Sequence, residues 1–247
     1  MRARATVVAE VDGGGVTRLN RVRSEPPLVL RGTADAVYLV GGAGGPLGGD
    51  DVALDVVVGR GASLTVRTVA ASVALPGNGR SMVSVTARVE AGGCLRWLPE
   101  PVVAAYGCRH DVETEVTLAS GAALVWREEI VLGRHGETSG SIVTRLTADA
   151  GGAPLIRHEL ALGPGHGAWS PAVVGDARAV GSVLLVDPFW ETCRPQARTL
   201  GPTAAAFPLA GPGVHVVAVA GDAIGLRRSL DSGVRVVSAH TPELAAP

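Results

Sequence analysis

The chain has 247 residues, which suits one large all-β domain or at most two small ones. Hydrophobic residues make up 47% and aromatic residues 3%, so we expect a sizeable core built mainly from valine, leucine and alanine. The formal net charge of −1, with no Lys/Arg run longer than two, excludes a charge-driven attraction to nucleic acid or an anionic membrane.

The cysteines and the first residues indicate the compartment. There are three cysteines, an odd number without paired spacing, which favours a reducing environment over a disulfide framework. The apolar stretch at the N-terminus is interrupted by Glu10 and Asp12, so it is too short for a signal peptide. No apolar run approaches the roughly 18 residues that span a bilayer. We therefore expect a cytoplasmic protein.

Alternation of apolar and polar residues predicts half-buried strands over residues 2–11, 52–58, 81–89 and 110–118, and a further strong strand over 214–220. Most of the 34 glycines and 16 prolines fall between such segments, where they make turns. Helix is scarce. A short helical turn is predicted over 172–180, and a better helix over 222–230, with Asp222 as its N-cap.

A repeat connects the strands. Gly61, Gly92 and Gly121 are 31 and 29 residues apart. Each comes three positions after the apolar residue that closes a strand and three before a Leu, which is followed two residues later by Val or Trp. A weaker fourth copy surrounds Gly151, where Pro154 displaces the Leu. A meander of hairpins also places Gly between strands, but this register favours a stacked array, because one unit cannot bury its apolar face alone. The predicted fold is an all-β, β-helix-like single domain over 1–247, with a loose tail from about 240.

Local sequence contains no catalytic signature. There is no G-x-S-x-G, P-loop or H-E-x-x-H motif, and the glycine-rich residues 41–45 are not followed by Lys-Ser/Thr. The cysteines lack C-x-x-C spacing, and no two histidines stand at i+2 or i+4. We therefore predict no catalytic residues and no tightly bound cofactor.

Carboxylates are the residues most suited to metal contact. Asp111, Glu113 and Glu115 share one face of a predicted strand, either to attract a divalent cation or simply to meet solvent. Asp50 and Asp51 follow a glycine-rich loop, where they cap a turn or form an ion-contacting edge.

Glu128 and Glu129 are adjacent in an apolar stretch, so one of them must point inward in a regular strand. A buried carboxylate needs a partner or a bound cation. Arg127 and Arg134 are the candidate partners.

Four segments resemble, in order and spacing, motifs of the UreD/UreH family of urease accessory proteins: residues 44–50 (GGPLGGD), 61–68 (GASLTVRT), 95–100 (LRWLPE) and 126–134 (WREEIVLGR). The resemblance covers about residues 15–235. Residues 68–75 depart from it, because they lack the family's Lys and aromatic residue, and Glu100-Pro101 stands where Gln-Glu is usual. The motif residues assigned structural roles are Gly44, Gly45, Gly48, Gly49, Trp97, Leu98, Pro99, Gly133 and Arg134.

The resemblance implies a mostly β fold with stacked strands and a non-catalytic role in urease maturation. Family members bind apo-urease and recruit UreF, which positions the GTPase UreG, and the assembly delivers nickel after GTP hydrolysis. An internal polar passage is a proposed nickel route, so transient Ni²⁺ binding is implied. Neither a nucleic-acid nor a membrane partner is implied.

A nickel route needs scattered oxygen ligands that hold the ion weakly enough to release it. Our hypothesis assigns this role to the motif acids Asp50, Glu100, Glu129 and Glu137. The competing hypothesis gives them a structural role, in salt bridges with arginines such as Arg96, Arg127 and Arg134.

Two other functions remain open at this point. A β-helix-like carbohydrate hydrolase would use an Asp/Glu pair, but it needs an aromatic-lined groove, and four Trp, two Tyr and two Phe are few for one. A purely structural repeat protein would bind a different partner.

Overall fold

Strands dominate the computed structural model, which describes residues 1–167, 169–239 and 241. In this part of the chain a short 3-10 helix covers Pro188–Glu191 and one α-helix, α1, covers Ala223–Val237. The strands are β1 (Arg2–Val11), β2 (Thr17–Arg23), β3 (Leu28–Gly32), β4 (Val37–Gly41), β5 (Asp51–Val58), β6 (Ser63–Thr68), β7 (Ser72–Ala74), β8 (Ser81–Val89), β9 (Cys94–Leu98), β10 (Val102–Ala104), β11 (Arg109–Leu118), β12 (Ala123–Leu132), β13 (Ser141–Ala150), β14 (Ala153–Leu162), β15 (Ala179–Val186), β16 (Arg198–Thr199), β17 (Ala204–Pro208) and β18 (Gly213–Ala220). The predicted all-β class is confirmed.

Two sheets form the body of the molecule. The first has the strand order β14-β13-β11-β8-β5-β1-β2, and the second has the order β16-β17-β18-β15-β12-β9-β6-β4-β3. Neighbours from β1 to β13 in the first sheet, and from β4 to β12 in the second, pair in parallel. The chain crosses between the sheets from β5 to β6, from β8 to β9 and from β11 to β12. A strand of the first sheet and the strand that follows it in the second sheet form one coil, and parallel pairing stacks successive coils. The predicted stacking of strands is therefore confirmed.

The repeated glycines form the turns between the sheets. Gly61, Gly92 and Gly121 have φ angles of 67°, 69° and 77°, in the left-handed region that favours glycine. The turns also form hydrogen bonds with one another. The amide of Gly61 donates to the Ala91 carbonyl, and the amide of Gly92 donates to the Gly121 carbonyl. Equivalent positions of the repeat therefore stack from coil to coil.

The last position of the repeat shows this stacking in the core. Val66 pairs with Trp97, and Trp97 with Trp126, in the register of the second sheet. The two indole rings are stacked, with centroids 4.8 Å apart and an interplanar angle of 10°. These side chains belong to the main hydrophobic core, which fills the space between the sheets.

The fourth copy of the repeat ends the coil. After Gly151 the chain returns as β14, which pairs antiparallel with β13 in the same sheet instead of crossing to the other. Pro154 lies opposite Asp149, where the register shifts. Proline has no N–H to donate to a strand ladder, which suits this irregular edge position.

The helix predictions had different outcomes. The helix predicted over 172–180 is wrong: residues 171–176 form turns, and Ala179 begins the fully buried strand β15. The helix predicted over 222–230 is confirmed and continues to Val237. Its N-cap is Asp222, whose Oδ1 accepts from the Gly225 amide at 2.7 Å. Leu226 and Leu230 of α1 pack with a second core on the outer face of the second sheet.

Two further expectations concern the C-terminal tail and the absence of a membrane-spanning segment. Most of the predicted tail, His240 and residues 242–247, lies outside the described residues, although Thr241 is described and its hydroxyl donates to the Ser238 carbonyl. Among the described helices, none is both long and apolar enough to cross a bilayer.

We expect Gly121→Ala to lower the free energy of unfolding by about 1–2 kcal/mol, because a Cβ is strained at positive φ. The nearest atom to that Cβ would be the Gly92 nitrogen at 3.9 Å, so the effect isolates backbone strain. Urea denaturation measures it. Gly13→Ala is the control, since no atom lies within 4 Å of its added Cβ and its φ is outside this region. An equal loss in both variants would contradict the prediction.

Candidate functional site

The loop formed by residues 44–50 is held by a close backbone contact. A Cβ on Gly48 would lie 2.6 Å from the Gly79 carbonyl oxygen, so only glycine fits there. Gly45 and Gly49 have positive φ angles, and Gly44 has open space around it. The loop is thereby positioned against the neighbouring loop at residues 77–79, and it directs Asp50 toward the start of β1.

Asp50 is 8% exposed and has two partners. Its Oδ1 accepts from the Met1 ammonium at 2.8 Å, and its Oδ2 accepts from the Leu47 amide at 2.9 Å. The hydrogen bond from the amino terminus, together with that from Leu47, holds the pKa of this carboxyl below its usual range. Asp50 therefore caps its own loop, one of the two roles that the sequence left open.

Glu100 and Glu129 are brought together by Arg227 of α1. The Arg227 Nε donates to Glu129 Oε1 at 3.0 Å, and its Nη1 donates to Glu100 Oε1 at 2.9 Å. The Glu129 side chain is 0% exposed. These hydrogen bonds raise the pKa of Arg227, the one to Glu129 most strongly. We call this group of three residues the Arg227 latch.

The neighbourhood of the Arg227 latch contains a second ion pair. Arg127 donates to Asp231 of α1 at 2.5 Å, while its Nε lies 3.9 Å from Glu129. Arg127 is thus a secondary partner of Glu129, and the main one comes from a helix 98 residues away in sequence. No local pattern indicates that pairing.

Glu137 pairs within its own loop. Arg134 Nε donates to Glu137 Oε2 at 2.9 Å, and Arg134 Nη2 donates to Oε1 at 2.7 Å. These bonds and that from the Arg134 amide lower the pKa of Glu137 to about 2. The amide of Gly133 donates to the Ala104 carbonyl at 3.0 Å, which fixes the start of this loop.

All four acids predicted for nickel transit have a cationic partner, but only Glu129 and Glu137 pair with an arginine that the structural hypothesis named. The partner of Asp50 is the Met1 ammonium, and that of Glu100 is Arg227. The acids lie in three separate places, and within the described residues no three His, Cys, Asp or Glu side chains are grouped to hold a metal ion. Asp111 likewise lies against Arg80 and Arg145, on the outer face of β11. Nickel transit by the four acids stays a prediction.

Glu128 differs from all of these acids. Strand alternation directs it between the sheets, opposite to Glu129, and the Trp126 Nε1 donates to its Oε1 at 3.2 Å. The Thr114 hydroxyl lies 3.4 Å from the same oxygen. The structure gives Glu128 no ion pair with any described residue, and burial raises the pKa of its carboxyl. It is a half-buried carboxylate between the sheets, held by neutral groups alone.

Glu128 lies where two cavities meet. A cavity of about 510 Å³ shares Glu128, Ile130 and Thr144 with a smaller one of about 120 Å³ between the sheets. Pro99, Glu100 and Glu129 also line the smaller cavity. We call these the outer cavity and the middle cavity.

A third cavity continues the row. It has a volume of about 530 Å³ and shares Leu39, Thr68 and Ser72 with the middle cavity. Asp50 and Arg134 line it, so two of the family-motif segments meet there. We call it the loop cavity. Taken in order, the three cavities share lining residues from β14 to the loop at residues 44–50.

Two histidines occupy the outer end of this row. His158 lines the outer cavity, and the His215 ring packs against it. Burial lowers the pKa of His215 to about 4 and shifts that of His158 in the same direction. Both imidazoles are therefore neutral at pH 7.

Fold and site together define a β-solenoid-like protein whose acids form ion pairs or line the cavities described above. A model of the family described as UreD urease accessory protein matches residues 1–247. The chain belongs to this family, which gives it a role in urease maturation.

Individual relatives agree with the family match. The urease accessory protein UreD of Parafrankia sp. (strain EAN1pec) is 46% identical, over 100% of this chain and 91% of the relative. UreD 3 of Streptomyces griseus is also 46% identical, over 95% and 96% of the two chains. UreD 1 of Saccharopolyspora erythraea is 37% identical, over 100% and 98%.

Replacing Arg227 with Met should lower the free energy of unfolding by about 3 kcal/mol, because the Glu129 carboxylate would stay buried without its main partner. Met keeps most of the aliphatic contact, so the change isolates the charge. Arg228→Met, at the exposed neighbouring position, is the matched control and should change stability by less than about 0.5 kcal/mol. Equal urea midpoints for the two variants would show that the latch contributes nothing.

The pKa of Glu128 gives a prediction on pH. Burial raises it above the ordinary value of 4.5, so the folded state binds this proton more tightly than the unfolded chain does. The stability from this group is fully present below pH 4.5 and is lost as the pH rises through the raised pKa. Glu128→Gln removes the titration. We expect it to raise the free energy of unfolding at pH 7, because the amide carries no charge to desolvate.

Urea titrations of both proteins from pH 4 to pH 8 measure this difference. The wild-type stability should fall more steeply above pH 4.5 than that of Glu128→Gln. A variant less stable than the wild type at pH 7 would contradict the prediction, because it would mean that the carboxylate is stabilised where it lies.

Proposed function

We propose that the chain is a non-catalytic, cytoplasmic scaffold of urease maturation. It binds apo-urease and recruits UreF, and through UreF the GTPase UreG, so that nickel reaches the urease active site. Nickel passes transiently through the interior cavities and does not stay as a bound cofactor. Family membership supports the maturation role, and Glu128 is the observation that carries the proposed passage.

The argument for Glu128 rests on charge. A carboxylate in a low-dielectric interior is stabilised by a cation, and Glu128 has no ion pair within the described part of the chain. It lines both the outer and the middle cavity, so an ion moving between them contacts it. A single oxygen-donor residue holds a divalent ion weakly, which suits transfer better than storage.

The Arg227 latch makes Glu100 and Glu129 less suitable for the same task. Both line the middle cavity, but Arg227 already donates to both. A cation that bound there would have to displace the guanidinium or share its carboxylates. Among the acids of the middle cavity, Glu128 is the one available to an incoming ion.

The hydrolase alternative has less support. The stacked Trp97 and Trp126 are 8% and 1% exposed, so they belong to the core and do not form a sugar-binding platform. Glu128 and Glu129 point to opposite faces of β12, so they do not form a pair across one substrate.

The maturation role is tested in a host that carries a complete urease operon except its UreD gene, with the matching urease and UreF supplied, at fixed nickel. Supplying this chain should restore urease activity, and an empty vector should not. No restoration despite soluble expression would mean that the resemblance is one of fold alone, and would favour a different partner.

The passage is tested with Glu128→Gln in the same host. At limiting nickel we expect at least threefold less urease activity than with the wild type, and a smaller difference when nickel is in excess. Glu115→Gln, on the exposed face of β11, is the control and should activate like the wild type. Full activation by Glu128→Gln at limiting nickel would exclude a role for this carboxylate in transit.

A further inference from the structure

His158 and His215 contact each other across two sheets. His158 is on β14, at the edge of the first sheet, and His215 is on β18 of the second. Their ring centroids lie 5.1 Å apart, and the ring planes are inclined at 70° to each other. His215 is 6% exposed, while His158 also reaches the outer cavity.

Each ring has a buried nitrogen without a hydrogen-bond partner among the described residues. These atoms are Nδ1 of His158 and Nε2 of His215. Buried polar atoms are nearly always paired with protein or with an ordered molecule, so two unpaired ring nitrogens in adjacent rings require an explanation. One species bound to both rings would satisfy both atoms at once.

The spacing of the rings fits a shared metal ion. An imidazole nitrogen binds a divalent transition metal at about 2.0–2.1 Å, so two rings on one ion with a near-tetrahedral angle have centroids about 5 Å apart. The observed separation of 5.1 Å agrees with that value. Imidazole is also the protein ligand that suits nickel, zinc and copper alike.

We propose that His158 and His215 together bind one borderline divalent cation, such as Ni²⁺, at the outer end of the cavity row. Its role as an entry or exit point rests on the proposed function, but the binding itself does not. No third His, Cys, Asp or Glu within the described residues completes the group, so water fills the remaining positions. Such a site exchanges its ion readily, and the outer cavity connects it to Glu128.

The binding is measured on the purified full chain, by calorimetric titration with Ni²⁺ and by the visible absorption of Co²⁺ as a probe of imidazole ligation. His158→Phe and His215→Leu should each weaken Ni²⁺ binding at least tenfold and abolish the Co²⁺ signal. His135→Phe, at an exposed position, is the control and should bind as the wild type does. Circular dichroism and urea midpoints establish that each variant is folded.

Two results would overturn the assignment. One is a wild-type chain that binds no Ni²⁺. The other is equal Ni²⁺ affinity in the wild type, in folded His158→Phe and in folded His215→Leu, which would mean that the two rings share an ordered water molecule instead.

The urease activation assay separates this inference from the proposed function. If the chain restores urease activity but neither histidine affects metal binding, only the inference on the histidines is wrong. If the histidines bind Ni²⁺ but the chain restores no activity, the metal site stands and the maturation role is wrong.

Discussion

Hydrogen bonding between successive coils is the constraint on which the fold depends. One coil leaves its backbone N–H and C=O groups and its apolar face unpaired, and a parallel neighbour satisfies both. The glycine turns are part of this ladder, since the amides of Gly61 and Gly92 donate to the next turn. Because the register is fixed, each inward side chain stacks on an inward side chain, as Trp97 does on Trp126.

The same register decides what becomes of the two adjacent acids on β12. Alternation places Glu128 between the sheets, where it is half-buried, and Glu129 on the opposite face under α1, where it is fully buried. On the helix side, Arg227 neutralises the charge. Between the sheets no ion pair forms among the described residues, and the pKa of Glu128 rises instead. On β12, therefore, one carboxyl group is stabilised by an ion pair and its neighbour has a raised pKa.

The sequence predicts what depends on local pattern. Period-two alternation locates β1 and β8 at their observed bounds, and the glycine spacing predicts the stacked turns. The helix predicted over 172–180 fails because its last residues begin β15, where tertiary burial decides the conformation. Pairings between distant segments follow from the fold and leave no trace in local spacing. The latch between Arg227 and Glu129 is one such pairing, and the ring contact of His158 with His215 is another.

The Arg227 latch also bears on how the proposed passage releases its ion. Zinc sites with a full set of protein ligands bind with apparent free energies of about 10–16 kcal/mol, and each 1.4 kcal/mol is about tenfold in affinity. An ion held that tightly leaves too slowly for transfer. Glu100, Glu128 and Glu129 all line the middle cavity, but Glu128 and Glu129 point to opposite faces of β12, and within the described residues no three acids are grouped to hold a metal ion. Arg227 pairs with Glu100 and Glu129 on the helix side, so in the proposed passage an ion meets Glu128 alone, and a single oxygen-donor residue binds it weakly.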